Sequence, residues 1–367
     1  MLKNQTVAVV VPAYQEETQI GRVLETMPDF VDRIVVVNDM SSDRTSEVVM
    51  EYARRAENRN TRPIPLFEYG GGGDDGYDRA ERILAEKLRS EEKFYNPSRV
   101  VNETPDTDRI ILIEHTKNGG VGAATATGYK WCRDHAIDCT GMMDGDGQMD
   151  PAELEKICMP VIDEHIDYVK GNRLIHASAP LMIPPLRFFG NSVLSIMTKV
   201  ASGYWHVSDS QTSYTAISLR ALRAIKLYGI YKRYGRPNDM LVKLNIAFCT
   251  LREIEIKPVY HVGEKSKMKI PKVIPRISWL LFRSFFKRLY LKYLIRDFHP
   301  LFLLYHFAFL LLGTSVPYAV KILRTVIRGD ASGVLPVLAF LFCFTIGVQM
   351  LLFAMWMDMQ DNERLYK

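Results

Sequence analysis

Short, largely apolar runs alternate with helical patterns through the first two thirds of the chain. Each run is followed by a polar loop and then by apolar residues at helical spacing, as with Ile20, Val23 and Leu24 after the first run. Strands without apolar and polar alternation, separated by helices, are typical of a parallel sheet covered on both faces. We therefore predict an α/β fold with a doubly wound, mostly parallel sheet. The predicted strands lie at residues 6–11, 33–37, 109–114, 139–143, 167–171 and 253–259.

One stretch, residues 62–108, interrupts this alternation and is predicted to be an insertion in a catalytic domain that spans residues 1–260. It contains a tetraglycine at 70–73 and a segment from Asp78 to Glu92 with the composition of an exposed helix. A phosphate-binding loop needs a Lys followed by Ser or Thr, which the tetraglycine lacks. It is therefore interpreted as a linker or, alternatively, a mobile lid.

The C-terminal third contains two long apolar runs. Residues 301–320 and 331–357 include no Asp, Glu, Lys or Arg, and each run is long enough to cross ~30 Å of hydrocarbon as a helix. We predict two transmembrane helices within residues 300–358 and a short polar tail at 359–367. The chain is therefore predicted to be an integral membrane protein.

A basic amphipathic segment, residues 261–299, precedes these runs. Ten Lys or Arg and two acidic residues lie between 263 and 297, although the net charge of the chain is only +5. This pattern favours an anionic membrane surface over nucleic acid as a partner, and it indicates a catalytic domain on the cytoplasmic face. Its apolar side chains recur every three or four residues, with basic side chains on both flanks. The apolar members are Trp279, Phe282, Phe286, Leu289 and Tyr293, and the basic ones are Arg283, Lys287, Arg288, Lys292 and Arg296.

Two interpretations of this segment remain open. An interfacial helix would keep its aromatic face in the acyl boundary and extend its basic side chains to lipid phosphates. The alternative is a helix packed on the catalytic domain.

Five cysteines without Cys-x-x-Cys spacing are expected to be reduced, which fits the cytoplasm, and no cleavable signal peptide is expected at the N-terminus.

The chemistry is carried by the loop after the strand at 139–143. Asp144, Asp146 and Gln148 offer two carboxylates and a carboxamide, which are ligands for Mg²⁺ or Mn²⁺ that leave positions for substrate phosphates. The same residue types also occur in calcium loops and ordinary turns. Other polar residues follow the carboxyl ends of other strands, where ligands bind in such sheets. These crevice candidates are Tyr14, Glu16, Asn38 and Asp39.

A glycine-rich segment opens the helix after the strand at 109–114. Lys117 precedes Gly119, Gly120 and Gly122, and such small residues admit a nucleotide close to the backbone at a helix start. Close packing of the helix on the sheet is an equally good explanation. Lys117 and Gly122 are included among the candidate nucleotide contacts.

Four motifs in order resemble those of the inverting glycosyltransferases of family two, and in particular the polyprenyl-phosphate hexosyltransferases such as dolichyl-phosphate mannose and glucose synthases. The motifs are Val-Val-Val-Pro-Ala-Tyr-Gln-Glu at 9–16, Asn-Asp-Met-Ser-Ser-Asp-Arg-Thr at 38–45, Asp-Gly-Asp-Gly-Gln at 144–148 and Gly-Glu-Lys-Ser-Lys-Met at 263–268. Two positions depart from the family pattern, since Asn38 replaces an acid and Met40 a glycine. The Gln-x-x-Arg-Trp of processive synthases is missing, which favours transfer of a single sugar.

The resemblance implies a GT-A (nucleotide-diphospho-sugar transferase) fold, a nucleotide-sugar donor, a polyprenyl-phosphate acceptor and a divalent cation. It implies nucleotide contacts at Pro12, Glu16 and Asp39, a metal site at Asp144, Asp146 and Gln148, and phosphate contacts at Arg173, Ser266 and Lys267, with catalytic roles for Asp144, Asp146, Arg173 and Lys267. Tyr14, Asn38, Lys117 and Gly122 are further nucleotide candidates from the strand ends and the glycine-rich segment. Asp209, Gln211 and Asp239 are further candidates for sugar or acceptor contacts, beside Arg173, Ser266 and Lys267. Loop capping is an alternative role for Asp209 and Asp239, and Lys267 could belong to the solvated basic run.

The predicted function is transfer of one hexose, with inversion, from a donor of the UDP-glucose or GDP-mannose type to dolichyl or undecaprenyl phosphate. Three alternatives stay open: a polysaccharide-forming transferase of the same family, an enzyme like the sugar-nucleotide pyrophosphorylases, and a non-catalytic nucleotide-binding scaffold in the membrane. Self-association into a homo-oligomer is left open.

Overall fold

A computed structural model of the 367-residue chain describes residues 1–56, 62–67, 78–182, 185–259, 270–329 and 333–367. The described residues form one eight-stranded sheet in the order β3-β4-β2-β1-β5-β7-β6-β8. The strands are β1 (Val7–Ala13), β2 (Arg33–Asn38), β3 (Ser98–Val100), β4 (Ile110–His115), β5 (Cys139–Met142), β6 (Tyr168–Asn172), β7 (Thr215–Ser218) and β8 (Leu251–Glu255).

The sheet is mostly parallel, as predicted. Parallel pairing joins β4, β2, β1 and β5 in succession, and it joins β6 to β8. The short strands β3 and β7 run antiparallel to their neighbours, which the apolar pattern did not predict. The α/β class is confirmed.

Helices cover both faces of the sheet. Successive residues of one strand enter different cores, so that Val10 packs with Tyr129 of the helix after β4, whereas Val9 packs with Leu154 on the opposite face. The helices are α1 (Ile20–Glu25), α2 (Thr45–Ala56), α3 (Asp78–Glu91), α4 (Val121–Asp134), α5 (Leu154–Asp163), α6 (Ala179–Met182), α7 (Pro185–Ser202), α8 (Leu219–Ala224), α9 (Arg236–Ile246), α10 (Ile270–Tyr290), α11 (Leu301–Ile327) and α12 (Val334–Glu363).

The last strand ends earlier than predicted. Beyond β8, the Lys257 N–H donates to the Glu153 carboxylate, at 3.2 and 3.1 Å from its two oxygens, and Pro258 has no N–H to donate. The chain therefore leaves the sheet before residue 259, the predicted end.

The short polar tail predicted at residues 359–367 pairs with the catalytic fold. Leu251 N donates to Leu365 O at 2.7 Å, and Lys367 N donates to Leu251 O at 2.9 Å. Leu365 is buried in the same core as β8. The polar composition of the tail gave no sign of this pairing, because backbone hydrogen bonds depend little on side chains.

Among the described residues, α11 and α12 are the two helices long and apolar enough to cross a membrane. Only 28% and 11% of their most apolar windows are buried, so most of their apolar side chains face outward. They pack against each other, with Gly347 of α12 lying against Leu312 of α11. The two predicted spans are confirmed as candidate membrane helices.

The basic amphipathic helix is only partly as predicted. Trp279 and Phe282 are exposed, but Leu289 and Tyr293 are fully buried. Arg288, predicted to extend toward lipid, is also buried and pairs with Asp358 at the end of α12, at 2.7 Å for both hydrogen bonds. The physical reason is that Asp358 follows the apolar run and needs a buried cation, which this helix supplies.

Lys292, the second corrected residue, lies within a π-helical turn (Leu291–Arg296) that follows α10. Its ammonium is buried and donates to Asn362 Oδ1 at 2.5 Å and Asn245 Oδ1 at 3.2 Å, and it lies 3.1 Å from Asp361 Oδ2. We call the contact of the α12 end with α10 and this turn the junction. It ties the second candidate span to the catalytic fold.

Candidate active site

The first wall of the candidate site is the loop after β1. Pro12 is buried in the sheet, Tyr14 is exposed, and Glu16 is half-buried beside the start of α2, where its N–H donates to Thr45 Oγ1 at 3.0 Å. The next residue along, Gln15, donates its N–H to Ser41 Oγ at 2.9 Å. These bonds hold the loops after β1 and β2 side by side, as the topology of a parallel sheet predicts.

Asn38 is the last residue of β2, Asp39 follows it, and both are buried. The Asn38 amide donates to Ser46 Oγ at 2.7 Å, and its Oδ1 accepts from the Ser41 N–H at 3.0 Å and hydroxyl at 2.6 Å. Ser46 in turn donates to Glu114 at the end of β4. Asn38 thus shapes the loop, although the family motif has an acid at this position.

Asp39 joins three segments of the site. Its carboxylate lies 2.7 Å from His115 Nδ1, and it accepts from the N–H groups of Gly119 at 2.8 Å and Gly120 at 2.6 Å. Burial alone would raise the pKa of Asp39, but these hydrogen bonds outweigh burial and hold the pKa below its usual value. Asp39 is therefore an ionised anchor for the glycine-rich loop.

His115 was missed by the sequence analysis. Its second ring nitrogen, Nε2, lies 2.9 Å from Thr127 Oγ1, so the imidazole links Asp39 to α4. The signal that could have found it is its place at the carboxyl end of β4, the same rule that selected Asn38 and Asp39.

The glycine-rich loop packs against the chain itself. A Cβ at Gly122 would lie 1.9 Å from the Tyr231 carbonyl oxygen, and the Gly122 N–H donates to Lys232 O at 3.0 Å. Gly120 has a positive φ of 82°, and a Cβ there would lie 2.4 Å from Lys232 O. The room made by these glycines is filled by protein backbone, so the nucleotide contact of Gly122 gains no support from the packing. Lys117 is exposed beside this loop.

The loop with the predicted metal ligands lies against the first wall. A Cβ at Gly145 would lie 3.2 Å from Pro12 O, and one at Gly147, which has a positive φ of 72°, would lie 3.5 Å from Gln19 Oε1. Asp144, Asp146 and Gln148 are all half-buried. One Asp146 oxygen accepts from the Gln148 N–H at 3.0 Å, which fixes the turn.

The residues of this loop fit a hard divalent cation. Within the described part of the chain there is no group of three or more His, Cys, Asp or Glu side chains placed to hold a metal. Asp144, Asp146 and Gln148 instead supply two carboxylates and one amide oxygen, a set that suits Mg²⁺ or Mn²⁺ when substrate oxygens and water complete the sphere. Their role as metal ligands stays a prediction.

Arg173 follows β6 and is held by Asp209. The Arg173 Nε and Nη2 groups donate to the two Asp209 oxygens at 2.8 and 3.2 Å, and the side chain of Asp209 is fully buried. Burial would raise the pKa of Asp209, but the Arg173 guanidinium and nearby Lys170 keep that pKa below its usual value. Asp209 therefore contacts protein groups, which favours a role in positioning Arg173.

A second layer supports this pair. Glu253 of β8 accepts from the N–H groups of Ser208 at 2.8 Å and Asp209 at 3.0 Å, and Lys170 of β6 donates to the Thr212 carbonyl. Burial raises the pKa of Glu253, and burial lowers the pKa of Lys170 to about 8. Neither residue is predicted from the sequence, because strand residues with alternating environments leave no motif.

Of the remaining predicted sugar or acceptor contacts, Gln211 and Asp239 lie within the described residues. The Gln211 amide donates to Ser210 Oγ at 2.7 Å, and the Asp239 carboxylate accepts from the Tyr231 N–H at 2.8 Å and from Lys243. The latter contacts are those of a loop cap. Ser266 and Lys267 lie outside the described residues.

Comparison with known proteins agrees with the motifs. The sequence model of glycosyl transferase family 2 matches residues 8–66 and 74–226, which include Asp39, Asp144, Asp146, Arg173 and Asp209. The chain belongs to glycosyl transferase family 2. The predicted resemblance is confirmed, and the protein is a glycosyltransferase.

Two relatives show the range of the similarity. The chain is 26% identical over 260 residues to the UDP-N-acetylglucosamine–dolichyl-phosphate N-acetylglucosaminyltransferase of Methanococcus voltae, covering 71% of this chain and 88% of that one. It is 26% identical over 160 residues to an undecaprenyl-phosphate mannosyltransferase of Micrococcus luteus, covering 43% of this chain and 65% of that one.

A solved structure that resembles the fold is the glucosyl-3-phosphoglycerate synthase of Mycobacterium tuberculosis. The TM-score is 0.48 at 13% identity, and the match covers 78% of each chain.

Proposed function

We propose that this glycosyltransferase moves one sugar, with inversion, from a nucleotide-sugar to a polyprenyl phosphate at a membrane surface. The observation that carries the proposal is the junction. Arg288 and Lys292 fasten the end of α12 to the catalytic fold through buried ionic contacts, and the C-terminal residues then pair with β8. A catalytic domain fastened in this way to candidate membrane spans suits an acceptor whose chain stays in lipid.

The relatives support the same class of acceptor. The Methanococcus protein is named for transfer to dolichyl phosphate and the Micrococcus protein for transfer to undecaprenyl phosphate. Both acceptors are polyprenyl phosphates, and the sugars in the two names differ. The acceptor class is therefore better supported than the donor, for which UDP-N-acetylglucosamine joins UDP-glucose and GDP-mannose as a candidate.

The chemistry requires stabilisation of charge more than proton removal. A phosphate monoester with a second pKa near ~6 is largely anionic at neutral pH and can attack the anomeric carbon without a general base. We infer that Arg173, fixed by Asp209, binds a substrate phosphate, and that Ser266 and Lys267 assist it. Pro12, Tyr14, Glu16, Asn38, Asp39 and Lys117 are the proposed nucleotide side of the crevice.

Asp144, Asp146 and Gln148 would hold Mg²⁺ or Mn²⁺. When bound, such an ion offsets the negative charge that develops on the departing nucleoside diphosphate. The two carboxylates and the amide supply oxygen ligands. The hydrogen bond from the Gln148 N–H to Asp146 holds the backbone of the turn between these two residues.

The catalytic domain is proposed to face the cytoplasm. The basic residues between 263 and 297 precede both spans in the sequence, and cytoplasmic segments next to membrane spans carry an excess of Lys and Arg. The exposed side chains of Trp279 and Phe282 lie on the same helix as exposed Arg283 and Lys287, a combination suited to an anionic lipid surface.

The experiment is transfer of radiolabelled sugar by the purified full chain in vesicles with undecaprenyl or dolichyl phosphate. UDP-N-acetylglucosamine, UDP-glucose and GDP-mannose are supplied separately, and vesicles without polyprenyl phosphate are the control. We expect one donor to give label in the organic phase that mild acid releases, as for a glycosyl phosphate. Label in a water-soluble polymer, or transfer without polyprenyl phosphate, would contradict the proposal.

A further inference from the structure

Arg236, the first residue of α9, is a buried arginine that the motifs do not include. The residue is only 4% exposed. The Nη1 group donates to Thr125 Oγ1 at 3.1 Å and to the Met142 sulfur, and Nη2 donates to Ser213 Oγ at 2.6 Å. These hydrogen-bonding partners are all neutral.

The guanidinium has a long ion-pair contact with Asp144 and no hydrogen bond to it. The Asp144 Oδ1 atom lies 4.0 Å from Nη2, beyond hydrogen-bond distance, and the buried Nε group has no hydrogen-bond partner among the described residues. A buried charge to which no anion is hydrogen-bonded is costly, and a buried donor without an acceptor adds to that cost.

Two other arginines of the chain have a carboxylate hydrogen-bonded to the guanidinium. Arg173 donates two hydrogen bonds to Asp209, and Arg288 donates two to Asp358, in both cases to a fully buried carboxylate. Arg236 is nearly as buried as Arg288, but its hydrogen-bonding partners are hydroxyl groups and a thioether. The described part of the chain therefore supplies no anion that is hydrogen-bonded to Arg236.

The position of the side chain indicates where such an anion would enter. Thr125 and Met142, at the Nη1 end, are completely buried, whereas Ser213 and Asp144, at the Nη2 end, are half-buried. The Nη2 end therefore points to the more open side, next to the predicted metal ligands. An anion there would lie among Arg236, Ser213 and Asp144.

We propose that Arg236 binds a phosphate oxygen of the substrate beside Asp144. The inference rests on the proposed function, which brings two kinds of phosphate to the crevice: the diphosphate of the nucleotide-sugar and the monophosphate of the lipid. A planar guanidinium can donate two parallel hydrogen bonds to either one. The Ser213 hydroxyl, now bonded to Nη2, would give way to a phosphate oxygen.

The test compares Arg236→Gln and Arg236→Lys with a matched control, Arg233→Gln, which alters an exposed arginine three residues earlier. Each full-length protein is titrated with UDP and with GDP by calorimetry in the presence of Mn²⁺. Initial rates are then measured with donor and polyprenyl phosphate varied separately, and the melting temperature reports folding.

We expect Arg236→Gln to weaken nucleoside diphosphate binding or to raise one KM by at least tenfold. Arg236→Lys should give a smaller loss, because it keeps the charge but not the fork, and Arg233→Gln should behave as the wild type. A raised Kd for the diphosphate with a raised donor KM assigns the contact to the donor. An unchanged Kd with a raised KM for polyprenyl phosphate assigns it to the acceptor.

Unchanged Kd and KM values in Arg236→Gln would overturn the inference. If that variant does not fold, Arg236→Lys decides, and diphosphate affinity and KM values within twofold of wild type would overturn it. The binding arm does not depend on sugar transfer. Wild-type protein that binds UDP or GDP but transfers nothing to polyprenyl phosphate would contradict the proposed function and leave the diphosphate arm of the Arg236 test valid.

Discussion

Two arginine–aspartate pairs of similar geometry lie in different regions of the molecule. In the crevice, Arg173 donates two hydrogen bonds to Asp209, and at the junction Arg288 does the same to Asp358. Both aspartates are fully buried. The arginines differ, because the side chain of Arg173 is 23% exposed and that of Arg288 is not exposed at all.

The surroundings of the two guanidinium groups explain the difference. Arg288 also donates to the carbonyl oxygens of Ala201 at 3.0 Å and Val200 at 3.1 Å, so protein acceptors surround it. Arg173 follows a strand end, where the crevice opens. The same ion pair thus serves as a structural contact where the arginine is fully buried, and as a candidate ligand site where the arginine is partly exposed. Changes in the crevice should alter activity, and changes at the junction should alter stability.

The largest effect is expected for the metal ligands in the crevice. Asp146→Asn removes a carboxylate from the predicted metal site but keeps the Oδ1 acceptor for Gln148, so the fold should persist. We expect a fall in sugar transfer of about 100-fold or more, typical of the loss of a preorganised charge-stabilising group. Transfer assays measure the loss of activity, and the melting temperature shows whether the fold persists.

Two controls sharpen this result. Excess chelator should abolish transfer by the wild type, and added Mn²⁺ or Mg²⁺ should restore it. Glu25→Gln, which removes an exposed carboxylate on α1, should leave both activity and melting temperature unchanged. Full activity in chelator would contradict the metal prediction.

At the junction, Asp358→Asn should mainly reduce stability. It leaves the Arg288 charge buried without an anion, and loss of one partner of a buried pair costs about 3–5 kcal/mol. We expect a clear fall in melting temperature in detergent, with near-normal specific activity of the protein that remains folded.

The double variant Arg288→Met with Asp358→Leu tests whether the unpaired charge causes the loss of stability in Asp358→Asn. It removes both charges, and replacement of a buried pair by apolar side chains is often neutral in stability. Recovery of most of the lost melting temperature would assign the effect to the unpaired charge. A double variant as unstable as the single one would instead assign the effect to lost shape and hydrogen bonds.

The sequence predicted the crevice better than the junction. Asp39, Asp144 and Arg173 lie at strand ends, where local pattern and sheet topology together fix their position. Arg288 and Asp358 are 70 residues apart, and each is compatible with a solvated position in its own segment. Only tertiary packing brings them together, and no local period indicates it.

In the crevice, Arg173→Lys should have a smaller effect than Asp146→Asn. Lysine keeps the charge opposite Asp209, so stability should change little, but it cannot reproduce the planar fork of two hydrogen bonds. We expect transfer to fall roughly tenfold, a smaller loss than that from removing a stabilising group outright, with the melting temperature within a few degrees of wild type. A variant that unfolds would show that Arg173 is as structural as Arg288.

Positive backbone φ values occur in both regions. Beside the junction, Gly203 has a φ of 79°, and a Cβ there would lie 2.5 Å from Arg288 Nη1. Phe248, whose ring centre lies 5.2 Å from Lys292 Nζ, has a φ of 55° although it carries a side chain. In the crevice, Gln15 and Met40 have φ values of 56° and 61°. Both regions therefore contain residues with side chains in the strained left-handed conformation.

The smallest predicted effect is that of Met40→Gly, which relieves this strain. Met40 is 56% exposed, so little packing is lost, and the left-handed conformation costs an L-residue roughly 1–2 kcal/mol. Part of this gain is offset by the greater freedom of glycine in the unfolded chain, roughly 0.5–1 kcal/mol. We expect the melting temperature to rise by roughly 1–2 °C.

The control is Met359→Gly, which changes an exposed methionine inside α12. Glycine there should destabilise the helix by about 1 kcal/mol and lower the melting temperature. Shifts of the same sign in both variants would show that the crevice backbone is not strained at Met40.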